Sequence, residues 1–282
     1  MASDKISKAE VVTTVVSKRH HDEQNMSSTT KVVASATAAL SGADAAATAA
    51  FKAGKHAAII MGATGAVGKA LLRDVMEADA FEKVTLLLRR EIDYEGPHGE
   101  KLIQKNVDFD NLEEGVFAGH DVMFCTFGTT RQQAGSAEAF QKIDRDYVLN
   151  AAKLFKSANA TTPLHFLYCS SGGANASSWL LYPRTKGEIE NGLKSMNFAK
   201  CSIFRPGFLV IEEKRRGSRF AEEMVAPLLG GALGRWTGLS TPVGSVARAM
   251  RRWAVGGGEG ITAEVKDGTY TIENNDILKM GA

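Results

Sequence analysis

From His56 to Phe204 short apolar runs alternate with longer stretches whose apolar positions recur every three or four residues. Period-free apolar runs of strand length, separated by helical periodicity, predict a parallel sheet with helices on both faces. The expected strands are Ala57–Met61, Lys83–Leu88, Ile103–Phe109, Asp121–Thr126, His165–Cys169 and Lys200–Phe204. The expected helices run from about Val67 to Ala78, from about Ala137 to Ser157, from near Tyr182, and over Val243–Ala254. Asp110 to Phe117 contains a further short helix, and Asp93 to Glu100 forms a loop. After Gly207 the chain reads as irregular and helical, with Gly256-Gly257-Gly258 a flexible break before a short apolar tail. Residues 1–54 differ: they are rich in Ala, Ser, Thr and Lys and poor in large apolar side chains. They read as an N-terminal extension, partly helical over Lys31–Phe51, ahead of a single core domain over 55–282.

The first strand leads directly into Gly62-Ala63-Thr64-Gly65-Ala66-Val67-Gly68, three glycines spaced three apart, and then into an amphipathic helix. Strand, tight turn and helix N-terminus in that order form the phosphate-binding turn of a dinucleotide-binding βαβ unit. Gly62 permits the sharp turn, Gly65 the close approach of a pyrophosphate, and Gly68 the packing of helix on strand. The free N–H groups of the helix's first turn then face the phosphates. Gly62, Thr64, Gly65, Val67 and Gly68 are therefore the expected pyrophosphate-binding set, and the fold class is a Rossmann-like, doubly wound α/β sheet.

Composition changes this picture little. Of 282 residues 44% are hydrophobic and 23% charged, ordinary for a globular chain, and the formal net charge of +2 gives no electrostatic reason for a nucleic-acid or membrane partner. Cys125, Cys169 and Cys201 each lie in an apolar run and read as buried thiols, and the six histidines show no ligand spacing, so no metal is expected. The best window for a membrane helix, Val32–Phe51, is mostly Ala, Ser and Thr and contains Asp44, so no transmembrane segment is expected. The first two dozen residues carry Asp4, Glu10, Asp22 and Glu23, unlike an acid-poor presequence, which makes the cytoplasm the expected location and a mitochondrial assembly the alternative.

Chemistry is expected beyond the carboxyl ends of the strands. Arg89-Arg90 follows the second strand, where an acid would bind the ribose hydroxyls of NAD. Two arginines there suit the 2′-phosphate of NADP(H) instead. Tyr182 and Lys186, at i and i+4, share one helix face, so a cation stands near a phenol whose ordinary pKa is about 10 and favours the phenolate. About a dozen residues upstream Ser170 and Ser171 end the fifth strand, and either hydroxyl can hold a substrate carbonyl while tyrosine gives the proton. Phe127-Gly128 borders the cofactor, Arg205-Pro206-Gly207-Phe208-Leu209 closes over its nicotinamide end, and Arg216 is the basic residue placed to reach a phosphate.

These strings resemble an atypical short-chain dehydrogenase/reductase, specifically the Tat-interacting oxidoreductase family. The resemblance rests on the glycine loop, Leu88-Arg89-Arg90, Gly119-His120-Asp121-Val122, Phe127-Gly128-Thr129-Thr130-Arg131, Asp144-Arg145-Asp146-Tyr147-Val148-Leu149, Tyr182-x-x-x-Lys186-Gly187-Glu188 and Phe204-Arg205-Pro206-Gly207, and covers about residues 56–255. It implies NADPH bound through the loop glycines, the arginine pair, Phe127-Gly128, Tyr182 and Lys186, and roles through protein contacts as well as catalysis. Two departures stand out: the family's Ser-Ser-Lys-Gly is here Ser170-Ser171-Gly172-Gly173, and Glu212–Arg219 does not follow the family pattern.

Two functions are thus expected. One is an NADP(H)-dependent oxidoreductase reducing a small carbonyl or oxidising an alcohol, with Tyr182, Lys186, Ser170 and Ser171 at its centre. The alternative is an NADPH-binding scaffold or accessory subunit acting on a protein partner in a larger assembly. The extension is expected either to be dispensable for folding and to serve such a partner, or to be a tail without a role.

Overall fold

The computed structural model describes residues 42–211, 240–256, 261 and 263–282. The chain divides into two compact units, Met1–Ala46 and Ala47–Ala282. Residues 47–54 of the expected extension thus fall within the larger unit. Helix α1, over 42–53, carries Phe51, whose ring stacks on His56 at 3.9 Å and meets Phe81 edge-on at 5.2 Å. One large aromatic side chain among small ones is enough to attach the end of the helix to the core. The part of the partly helical expectation that covers residues 31–41 lies outside the described residues.

The strands are β1 (Ala57–Met61), β2 (Lys83–Leu88), β3 (Leu102–Asn106), β4 (Val122–Cys125), β5 (His165–Cys169), β6 (Lys200–Arg205), β7 (Phe208–Val210), β8 (Ser240–Pro242), β9 (Glu264–Lys266) and β10 (Thr269–Glu273). The helices that follow α1 are α2 (Ala66–Ala78), α3 (Arg131–Ala134), α4 (Ala137–Gln141), α5 (Tyr147–Ala158), α6 (Leu181–Ser195), α7 (Val243–Ala254) and α8 (Asn274–Met280). Eight strands form one sheet in the order β3-β2-β1-β4-β5-β6-β10-β9, with β9 antiparallel and the others parallel, and β7 and β8 form a separate parallel pair. The order reverses between β1 and β4, which opens a crevice at their carboxyl ends.

Near-continuous apolar strands are what a sheet covered on both faces needs, and alternate residues serve the two layers. Ala58, Ile60, Leu86, Phe124 and Leu167 face one core with α2 and α7, while Ile59, Met61, Leu87, Met123 and Phe166 face the other with α5 and α6. Two elements differ from expectation. The tail supplies β10, which pairs with β6 in register Thr271↔Ile203, and β9 beside it. Thr269-Tyr270-Thr271-Ile272 is β-branched and aromatic enough for a strand, but its brevity beside glycines concealed it. The long helix expected from Ala137 is also broken, by a single π turn over Lys142–Asp146 between α4 and α5.

Polar groups inside the sheet are paired. His120 Nδ1 donates to the Phe117 carbonyl at 3.1 Å and Nε2 accepts from Thr85 at 2.8 Å. Burial, with Lys83 nearby, pulls the His120 imidazole down to about 4. His165 is held well below its ordinary value by burial and by Lys200, and Ser202 links it to Trp253 Nε1 through two 2.8 Å bonds. A folded-state pKa below the unfolded one means that the unfolded chain binds more protons, so stability falls with acidification through this window. Stability is expected to decline between pH 6.5 and 4, with His120 contributing about 3 kcal/mol of the loss by pH 4. Denaturant unfolding across that range checks it: His120→Gln should flatten the slope, and parallel slopes for the two proteins would reject the assignment.

Candidate active site

The glycine loop is built as its spacing requires. Gly62 takes φ +99°, a left-handed conformation, and a Cβ there would lie 2.7 Å from the Phe127 nitrogen. A Cβ on Gly68 would stand 2.0 Å from the Gly62 carbonyl oxygen and 2.8 Å from Thr126 Oγ1, so α2 rests on the end of β1 without room for a methyl group. Gly65 is the N-cap of α2, with no side-chain cap and no acid in the first turn, and its amide bonds the Gly62 carbonyl at 3.0 Å. Thr64 and Gly65 are exposed, whereas the Val67 side chain is buried and offers the site only its backbone. The first-turn N–H groups lack intrahelical acceptors and suit an anion.

Arg89 and Arg90 follow β2, both exposed, and neither has a hydrogen-bond or ion-pair partner among the described residues. The Phe127 ring lies 4.8 Å from that of Phe109, and its backbone closes on Gly62. Gly128 comes next, and a Cβ there would be 3.3 Å from Asp144 Oδ2 and 3.5 Å from Lys186 Nζ. The glycine loop, the end of β4 and Lys186 are therefore contiguous.

Lys186 departs from the expected arrangement. Its ammonium donates to the Tyr168 hydroxyl at 3.1 Å and lies 3.0 Å from Asp144 Oδ2, while the Tyr182 ring centroid is 5.8 Å away. Burial pulls the Lys186 ammonium down, but Tyr168 and Asp144 more than offset this and hold it well above its ordinary value. Burial pushes the Tyr168 phenol up, so Tyr168 is neutral and Asp144 is the counterion that matters. Tyr182 sits in the first turn of α6, 47% exposed, with its ring 6.1 Å from that of Phe140. Gly187 lets the preceding loop lie on α6, since a Cβ there would meet the Ala176 nitrogen at 2.1 Å.

The two serines separate. Ser170 donates to Glu190 Oε1 at 2.6 Å, and Glu190 in turn pairs with Arg205, so the Ser170 hydroxyl proton is engaged where α6 packs against β6. The Ser171 hydroxyl is buried without a partner among the described residues. Leu209 lies on β7 opposite Thr241, packed against the core that holds α2 and α7. Arg216 lies outside the described residues.

The sequence reading missed Asp144 and Tyr168 as site residues. Asp144 occupies the apolar stripe of its helix, four residues from buried Phe140 and four from buried Val148, and a carboxylate on such a stripe needs a buried partner. Tyr168 lies in a strand buried on both faces, where its hydroxyl must also find one. Burial pushes the thiols of Cys125 and Cys201 up to about 12 and that of Cys169 to about 11, which leaves them unreactive at neutral pH. Among the described residues no group of side chains could hold a metal ion, and no helix is long and apolar enough to cross a membrane.

The topological crevice and the glycine turn define a doubly wound, Rossmann-like protein that binds a nicotinamide dinucleotide. The chain belongs to the NAD(P)H-binding family, whose model matches residues 62–225. It is 38% identical over 234 residues to "Protein HTATIP2" of Rattus norvegicus, spanning 82% of this chain and 91% of that protein. It is 33% identical over 231 residues to "Protein FMP52, mitochondrial" of Candida albicans, spanning 78% and 96%. Among solved structures, a short chain dehydrogenase of Burkholderia cenocepacia in complex with NADP superimposes with a TM-score of 0.56 at 15% identity, over 79% of this chain and 91% of that one, which bears on the fold alone. The expected cytoplasmic location is corrected by these relatives, since the FMP52 proteins of several yeasts are named mitochondrial. Acidic residues near the N-terminus were too indirect a sign against such a location.

Proposed function

We propose that this chain is a mitochondrial, NADP(H)-dependent reductase of small carbonyl compounds, acting in reverse as an alcohol dehydrogenase. The observation that carries this reading is the buried Lys186 ammonium beneath Gly128, 5.8 Å from the Tyr182 ring. The residues fit the cofactor: Gly62 and Gly68 leave no room for side chains, the α2 N-terminus carries no acid, and Arg89 and Arg90 are without partners among the described residues. Gly62, Thr64, Gly65 and the amides of Val67 and Gly68 would hold the pyrophosphate, Arg89 and Arg90 the 2′-phosphate, and Phe127, Gly128 and Lys186 the nicotinamide half.

Bound reduced nicotinamide would supply a hydride to the carbonyl carbon. The protein supplies the proton and the geometry. Tyr182, half exposed in the first turn of α6, gives its phenolic proton to the carbonyl oxygen. Ser171, whose hydroxyl is buried without a partner among the described residues, would orient that same oxygen after a side-chain rotation that uncovers it. The Lys186 ammonium places positive charge beside the phenolate left behind and so stabilises it. The mitochondrial assignment follows from the names of the FMP52 relatives. Oxidation of NADPH by the purified protein with a panel of aldehydes, ketones and quinones tests the reading, and no turnover with any of them rejects it.

The arginine pair carries a second expectation. Arg89→Ala with Arg90→Ala should weaken NADPH binding on the order of 10–100-fold and change NADH binding little, since the lost bonds are charge-assisted ones to the 2′-phosphate. Calorimetric titration of both cofactors decides it, and equal affinities of the unaltered protein for the two would overturn the NADP(H) assignment. One observation favours a second reading, a cofactor-holding protein that works through protein contacts. Trp179, three residues before Tyr182 in sequence, is 84% exposed, and Phe208, at the start of β7, is 60% exposed. NADPH binding without turnover, together with a stable partner complex lost on Trp179→Ala, would favour that reading.

A further inference from the structure

A buried ammonium needs a counterion, and what else that counterion touches determines what it can organise. Asp144 is fully buried and serves two segments at once. Its Oδ2 lies 3.0 Å from Lys186 Nζ on α6, and its Oδ1 accepts the Thr129 amide at 2.6 Å, in the loop after β4. Oδ2 has no aligned hydrogen-bond donor among the described residues, so the lysine holds it as a charge pair and not through a directed bond. The π turn over Lys142–Asp146 carries the residue, with Phe140 before it and Val148 after it still in the core. A π turn adds one residue to a helix at a single point, and such insertions occur where a side chain has a task that regular packing does not set.

We propose that Asp144 is a positioning residue for the nicotinamide half of the cofactor: one carboxylate holds the Lys186 ammonium and the Gly128–Thr129 backbone together, so that both meet the nicotinamide ribose already in place. The inference rests on the cofactor reading above. The adenine half, by contrast, is served by the glycine loop and the arginine pair, and neither of these touches Asp144. Tyr168 supports the same ammonium from β5 through its 3.1 Å hydrogen bond.

That division gives a test that needs no substrate. NADPH and 2′,5′-ADP share the adenosine 2′-phosphate, but only NADPH carries the nicotinamide ribose. Their affinities are measured by calorimetry on the full chain for the unaltered protein, Asp144→Asn, Asp144→Ala, Lys186→Met and the double variant Asp144→Asn/Lys186→Met. Asp144→Asn keeps an acceptor for Thr129 and loses the charge, so NADPH binding should weaken on the order of tenfold with 2′,5′-ADP binding unchanged. Asp144→Ala loses both contacts and should weaken NADPH further. In the Lys186→Met background the Asp144→Asn effect should largely vanish, and this double variant leaves no unpaired buried charge to unfold it. If NADPH and 2′,5′-ADP weaken in parallel, Asp144 is only structural and the proposal fails. It fails equally if Asp144→Asn binds NADPH as the unaltered protein does, or if the effect persists in full without Lys186. An unaltered protein that binds neither ligand would instead overturn the cofactor reading itself.

Discussion

Replacing Tyr182 with phenylalanine is expected to reduce carbonyl turnover by about 10²–10⁴-fold while leaving NADPH affinity nearly unchanged. The ring is half exposed and packs beside Phe140 at 6.1 Å, a contact that phenylalanine keeps. The Tyr182 hydroxyl makes no hydrogen bond among the described residues, so no internal network is broken by removing it. Lys186 stays bonded to Tyr168 and paired with Asp144, so the role proposed for it at the cofactor is left in place. On the proposed mechanism, what disappears is the group that hands a proton to the carbonyl oxygen. Steady-state turnover and a calorimetric NADPH titration on the same preparation check both halves. Full turnover in the variant would mean that another acid, or water, donates the proton. A parallel loss of NADPH binding would mean that the phenol belongs to the cofactor site.

The largest structural effect is expected at Gly68. A Cβ there would lie 2.0 Å from the Gly62 carbonyl oxygen and 2.7 Å from its carbon, both backbone atoms that cannot rotate aside. Gly68→Val must therefore lift α2 from the end of β1, disturbing the core that Leu71, Leu72 and Val75 form with α7. Overpacking of this kind costs about 1–3 kcal/mol and more when backbone has to move. The variant is expected to unfold at a markedly lower temperature and to show no measurable NADPH binding. Gly65→Ala is the informative contrast, because its Cβ would meet the Gly62 oxygen at 3.4 Å, an ordinary contact. That variant should melt like the unaltered protein and lose cofactor affinity alone, since the added methyl group stands only in the way of the pyrophosphate. Equal melting temperatures for all three proteins would show that helix and strand are not packed as described.

The legibility of this chain divides along a physical line. Features set by local spacing were readable: the glycine turn, the apolar strands β1, β2, β4, β5 and β6, and the amphipathic helix over Val243–Ala254. Their side-chain pattern repeats within a few residues, so one segment carries its own instruction. The π turn was not readable, because Lys142–Asp146 has the composition of ordinary helix and its extra residue registers only when Asp144 meets a partner. The strand β10 was missed for a related reason. Its few residues pair with β6, more than sixty positions away, and a strand is stabilised by its neighbours more than by its own propensity.

The same line runs through the site. From sequence alone followed a dinucleotide turn, two arginines at the end of β2, and a tyrosine and lysine one helical turn apart, because spacing along a strand–turn–helix determines each. Tertiary structure decided what the polar atoms do. It gave Lys186 to Asp144 and Tyr168, committed Ser170 to Glu190, and left Ser171 without a partner among the described residues. A buried charge or hydroxyl must be satisfied by whatever group the fold brings within about 3 Å, and that group comes from a distant part of the chain. Local pattern therefore determined where the site lies, and only the convergence of α6, β5 and the π turn determined how its charges are arranged.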